Sequence, residues 1–188
     1  MTEADFDQAK TYTDSDRIVG TYYFYWYDVE SGEHFFWPDG RDYLTDHPYD
    51  EAGYSYNNPE WHRREMEDIL AAGIDFITPV YWGCPACSRT DWSFKGLPPL
   101  VQACDEMVSD GITPPRIGLF YDTSTLGGGN DLGETIDLKT DFGREWFYAS
   151  IRDFFVNIPP RYWAMVDGKP IVILYSGVPS YDQSCIDY

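Results

Sequence analysis

IVGTYYFYWYD, residues 18–28, sets six aromatic residues in succession, Tyr22–Tyr27, ahead of a carboxylate, Asp28. β-Branched and aromatic residues fit a pleated, extended chain. A strand solvated on one face alternates apolar with polar residues; this one is apolar on both, as in a strand covered on both sides. The spacing predicts a strand over Ile18–Tyr27. By the two-residue period, Tyr22, Phe24, Trp26 and Asp28 share one face and the other tyrosines share the opposite one.

Three further segments repeat this character, with helical patterns between them. NNPEWHRREMEDILAAG opens a helix: Asn58 suits the N-cap, Pro59 the first helical position and Glu60 the first turn. Met66, Ile69 and Leu70 form its apolar stripe, and Gly73 closes it. IDFITPVYWG is a second, near-continuous apolar strand. LPPLVQACDEMVSDG carries a helical stripe of Leu97, Leu100, Val101, Cys104, Met107 and Val108, and RIGLFYDTS is the third strand. DFGREWFYASIRDFFVNI is a third helix with Phe147, Ile151, Phe154, Phe155 and Ile158 on one face, stopped by Pro159–Pro160. A short hairpin then turns at Asp167–Gly168 into a fourth strand, Ile171–Tyr175.

Strands alternating with helices imply parallel pairing through right-handed crossovers. Two architectures fit: half of a (β/α)8 barrel or a small doubly wound sheet. The strand ends favour the barrel. They read YWYD, VYWG, FYDT and LYSG, each with a tyrosine: Tyr27, Tyr81, Tyr121 and Tyr175. Long loops rich in Trp, Asp and Gly follow the first three. A barrel builds its site from the carboxyl ends of several strands, whereas a doubly wound sheet uses one switch point. The expected fold is therefore the N-terminal half of a (β/α)8 TIM barrel, with four parallel strands and three crossover helices. A whole barrel takes about 250 residues, so the reading implies a chain truncated on its C-terminal side. Residues 1–16 read as a polar, poorly ordered lead-in and residues 17–188 as the domain.

Composition narrows the partners. The 188 residues carry a formal charge of −19, from 32 acidic and 13 basic side chains. Nucleic acid and anionic membranes require basic patches, so neither is expected as a partner. No apolar run is long enough to span a bilayer, and the polar N-terminus shows no signal peptide. CPAC, at Cys84 and Cys87, has no second cysteine pair to complete a zinc site. It reads as loop cysteines or a local disulfide ahead of a redox pair or a metal site. The glycines of TLGGGNDLGE lack the Lys-Ser/Thr of a phosphate loop.

YYFYWYD, DGRDYLTDHP, WHRREMEDILAAGIDFITPVYWG, IGLFYDTSTL and DGKPIVILY together resemble the domain-of-unknown-function family 5010. That family resembles in turn the family 99 glycoside hydrolases, endo-mannosidase-type (β/α)8 barrels. The resemblance spans roughly residues 18–177. It implies a glycoside-hydrolase-like domain acting on a polysaccharide or glycan by carboxylate acid/base hydrolysis. It also implies a carbohydrate partner, a secreted or periplasmic setting and no cofactor. In those hydrolases the catalytic carboxylates lie on later strands, in a Trp/Glu motif that does not occur here. At least part of the pair is thus expected beyond Tyr188. A non-catalytic carbohydrate-binding barrel and a glycan-processing transferase are the alternatives.

The candidate site residues follow from the strand ends and the first long loop. Asp122 is the candidate catalytic carboxylate. Trp26, Tyr27, Asp28, Tyr81, Trp82, Tyr121 and Tyr175 are candidates for the sugar-binding wall, since a pyranose face stacks on an indole while acids and hydroxyls bond its hydroxyl groups. His34 and His47, in the loop with Asp39, Asp42 and Asp46, are candidate substrate contacts; a metal reading there matches no ligand spacing. His62, in a first helical turn, reads as structural.

Overall fold

The computed structural model describes residues 10–85, 91–130 and 132–175. Its strands are β1 (Lys10–Tyr12), β2 (Gly20–Tyr23), β3 (Phe76–Tyr81), β4 (Arg116–Ile117), β5 (Leu119–Tyr121), β6 (Ala164–Val166), β7 (Lys169–Pro170) and β8 (Val172–Leu174). Its helices are α1 (Pro59–Ala71), the single turn α2 (Trp92–Lys95), α3 (Leu97–Ser109) and α4 (Asp141–Asn157).

The main sheet has the order β2-β3-β5-β8, with β4 also on β3, and every pair in it is parallel. Each strand lies beside the next one in the chain. A doubly wound sheet would reverse direction somewhere in that order; the described strands advance without reversal, as in a (β/α)8 barrel. The fold is a partial barrel of four parallel strand positions.

β4 and β5 are one strand interrupted at Gly118, and Pro79 explains the break. The carbonyls of Ile77 and Tyr81 accept from the amides of Gly118 and Asp122, at 2.9 and 3.0 Å. Residue 79 presents the same edge to that neighbour, but as proline it brings no N–H to the ladder.

The helix starts follow the sequence reading. Asn58 Oδ1 accepts from the Glu60 amide at 3.1 Å, and Pro59 holds the first turn of α1. Thr140 caps α4 by accepting from the Gly143 amide. Met66, Leu97, Leu100, Cys104, Met107, Phe154, Phe155 and Ile158 are buried as expected. Val108 is not: it lies one position round from Met107, off the stripe, and is half exposed. Trp61 of α1 and Trp146 of α4 join the core and His62 of α1 is buried, although none of the three belongs to the stripes read from the sequence.

Two expectations require correction. The lead-in is not unstructured throughout, because β1 pairs in parallel with β6, and Tyr12 is buried. The β6–β7 hairpin turns at Asp167 and Gly168, both at positive φ (49° and 76°), as a two-residue hairpin requires. The first strand is also shorter than Ile18–Tyr27. Beyond Tyr23 the chain leaves the sheet and pairs with its own following loop: the Asp28 amide donates to Glu33, Val29 to Tyr54, and Tyr56 to the Tyr27 carbonyl.

Candidate functional site

The two faces of the sheet hold different populations of aromatics. On the face toward the helices, Tyr23 donates its hydroxyl to His62 Nδ1 at 2.7 Å, and its ring lies 6.1 Å from Trp61. Tyr25, fully buried, donates to the Ser93 carbonyl at 2.5 Å. Tyr81 donates to Asp153 Oδ2 at 2.6 Å, and the Tyr121 ring packs on Phe147. Burial drives the phenol pKa values of Tyr23, Tyr25 and Tyr121 upward, so these hydroxyls remain donors at any ordinary pH.

The opposite face is the interior side of the barrel. Phe120 gathers Tyr22 (4.7 Å between ring centroids), Phe24 (5.6 Å) and Tyr175 (5.6 Å) around it. At the carboxyl ends of the strands these rings open into a recess of about 370 Å³ lined by Phe24, Trp26, Tyr27, Phe120, Asp122 and Tyr175. Asp122 is the one carboxylate in that lining. Its Oδ2 accepts from Trp82 Nε1 at 2.9 Å, and its Oδ1 accepts from the Ser124 amide at 3.0 Å, capping the short 3-10 turn Thr123–Leu126. Thr123 donates in turn to the Tyr175 carbonyl. Asp122 and Thr123 together therefore tie β3, β5 and the end of β8 at the mouth.

The recess brings together Trp26, Tyr27, Asp122 and Tyr175, and Trp82 joins them through its bond to Asp122. The other expected residues lie elsewhere. Tyr81 and Tyr121 sit behind the sheet: side chains alternate, and Trp82 and Asp122, one residue on, take the mouth. Asp28 braces the first loop. Burial disfavours its charge, but the Ser31 and Ser55 hydroxyls and the Ser31 and Glu30 amides bond the carboxylate and hold its pKa below the ordinary value. It does not share the mouth with Trp26, because the chain has already turned out of the sheet.

His47 is clamped at the surface between Asp42 (2.7 Å) and Glu51 (2.5 Å), and those bonds raise its pKa. It contacts no residue of the recess lining. His34 does reach the rim. Its Nδ1 lies 2.7 Å from the Trp26 carbonyl, and its ring stacks on the Trp26 indole at 5.3 Å and 25°. Its φ of 60° is one that a side chain enters at a cost of about 1 kcal/mol or more.

Phe24 and Phe120 escaped the sequence reading, although the signal was present: each stands two residues before an expected mouth residue, Trp26 and Asp122. Among the described residues no group of three His, Cys, Asp or Glu is arranged to hold a metal ion. Cys84 is disulfide-bonded; Cys87 lies outside the described residues. No helix among them is long and apolar enough to cross a membrane.

The family sequence profile named Domain of unknown function (DUF5010) matches residues 7–184. The chain belongs to that family. No curated protein matches it. Among solved structures it is similar to a GH99 endo-α-mannosidase from Bacteroides thetaiotaomicron in complex with bis-tris-propane, with a TM-score of 0.55 and 18% identity over 86% of this chain and 42% of that one. A second structure of a GH99 endo-α-mannosidase from the same organism gives a TM-score of 0.54 and 16% identity, over 86% and 46%. The DUF5010 chain spans less than half the length of these structures, and at this identity the likeness is one of fold: a glycoside-hydrolase-like partial barrel.

Proposed function

We propose that the recess is the part of a carbohydrate site contributed by the first four strands of a glycoside-hydrolase-like barrel, in a protein that hydrolyses a polysaccharide or glycan. The recess lining is the observation that carries this reading. Five aromatic rings and one carboxylate converge at the carboxyl ends of parallel strands, where such barrels hold their ligands. Aromatic walls take the C–H faces of a sugar, and a few fixed acceptors bond its hydroxyl groups. Asp122 suits that second task, since the Trp82 and Ser124 donors hold its oxygens in place. Hydrolysis needs two carboxyl groups, about 5 Å apart for retention or 6.5–9.5 Å for inversion. On this proposal Asp122 supplies at most one, and residues beyond Tyr188 supply the remainder.

The same bonds favour a second reading, a carbohydrate-binding barrel without catalysis. Both Asp122 oxygens are engaged in holding the mouth together, which suits a fixed acceptor better than a proton carrier. Reducing-end release from a glycan panel by the full-length protein, alongside calorimetric binding, separates the two. Hydrolysis abolished by Asp122→Ala supports the enzyme, and binding without release supports the second reading. If Asp122→Ala and Trp26→Ala both leave activity and affinity intact, the recess is not the site.

A further inference from the structure

His34 occupies a backbone position made for glycine. The Phe35 amide donates to the Gly32 carbonyl at 3.1 Å, closing a turn whose third residue is His34 at φ 60°. Gly or Asn ordinarily takes that place when φ is positive. Asp167, the other described non-glycine residue at positive φ, sits in a two-residue hairpin where Asp is a common choice. Histidine enters positive φ more readily than most side chains, but glycine would take this turn at less cost.

The reason for the histidine lies across the loop. A carbonyl oxygen can only accept, so Nδ1 of His34 carries the proton it donates to the Trp26 carbonyl. The imidazole also covers one face of the Trp26 indole, while Trp92 meets that ring edge-on at 5.7 Å and Phe24 lies 5.1 Å away. Trp26 itself is held in an unfavourable setting: its buried Nε1 has no hydrogen-bond partner among the described residues. A strained histidine and an orphaned indole N–H, packed on each other at the edge of the recess, mark a place where the fold gives up local comfort to fix one ring.

We infer that His34 is a positioning residue for Trp26, kept in a glycine conformation because its imidazole fixes the indole against which a hexose oligosaccharide stacks. This rests on the sugar-site reading of the recess. It assigns His34 a role through Trp26 rather than through direct contact with the reacting atoms.

The test compares wild-type full-length protein with His34→Gly and His34→Asn by calorimetric titration with α-manno-oligosaccharides and β-gluco-oligosaccharides, next to thermal melts. Glycine relieves the backbone strain, so the expected result for His34→Gly is an unchanged or higher melting temperature with at least tenfold weaker oligosaccharide binding. His34→Asn tolerates the backbone but lacks the ring, and should lose affinity similarly. The Trp26 indole N–H resonance should shift and broaden in both variants, a change that mere loop bracing would not produce. If the wild type binds an oligosaccharide and His34→Gly binds it equally well, the inference is overturned while the sugar site stands. If the wild type binds neither class, the sugar-site reading fails and takes this inference with it.

Discussion

The helix-facing and mouth-facing sides of the β2-β3-β5-β8 sheet are both built from aromatics, yet they serve opposite ends. Behind the sheet, Tyr23, Tyr25, Tyr81 and Tyr121 are buried, and their hydroxyls meet His62, Ser93, Asp153 and Thr125. In front, Tyr22 is 55% exposed and Tyr175 50%, and their packing partner Phe120 leaves an open recess. Satisfied hydroxyls and full burial mark rings that stabilise the fold. Partly uncovered rings beside a fixed carboxylate mark rings available to a ligand. A single stretch, Tyr22–Tyr27, feeds both populations in alternation.

Substitutions on the two sides should therefore separate stability from binding. The largest expected effect is Tyr25→Ala, which removes a fully buried ring and its bond to Ser93. Equilibrium denaturation should show a loss of about 3–5 kcal/mol, whereas Phe24→Ala, on the exposed side, should lower stability far less and weaken glycan binding. Equal destabilisation by the two would erase the distinction between the faces.

Next comes the buried His62, held neutral between the Tyr23 hydroxyl and the Tyr56 carbonyl, with burial lowering its pKa to about 4. The unfolded chain takes up this proton near pH 6.5 and the folded one not until about 4. Stability should fall by about 3 kcal/mol as pH drops through that window and stay level above it. The exposed His47, with its raised pKa, contributes stability that is present at low pH and lost as pH rises. That trend is opposite in sign and weakened by solvent. Asp28 and Asp105, whose pKa values are lowered, lose their contributions only below the ordinary carboxylate range. Denaturation at pH 7 and pH 4.5 checks this, and His62→Gln should flatten the difference.

Smaller again is Asp122→Ala, which strips the acceptor from Trp82 and the cap from the Ser124 amide. About 1–2 kcal/mol should be lost, readable in the melting midpoint, with a greater effect on glycan binding. Asp122→Asn should restore most of the stability. The smallest effect is His47→Ala, at a solvated surface clamp outside the recess lining, which should lower the midpoint slightly at low pH and leave glycan binding unchanged.

How much of this was legible depends on the range of the interaction. Alternation, caps and turn residues act over a few positions, so the strand–helix order, the Asn58 cap and the Asp167–Gly168 turn could be read directly. The same alternation, applied strictly, would have sent Tyr81 and Tyr121 behind the sheet once Trp82 and Asp122 were assigned to the mouth. What no local rule carries is register. The Trp82–Asp122 bond exists because β3 and β5 pair Tyr81 with Tyr121, and His34 meets Trp26 only because a turn at Gly32 folds the loop back. Asp28 misled because alternation was extended past the point where the chain leaves its partner strand.

The strand order has a consequence for how the chain comes together. Since β3, β5 and β8 each lie beside the preceding strand of the main sheet, that sheet can lengthen as a nascent chain emerges, each new unit docking on a finished edge. β1 is the exception. Lys10–Tyr12 is made before any strand of the main sheet, yet its partner, Ala164–Val166, comes after β5. The segment ahead of β2 must therefore wait until β2, β3, β5 and the helices between them have been made, and its docking clasps those units together.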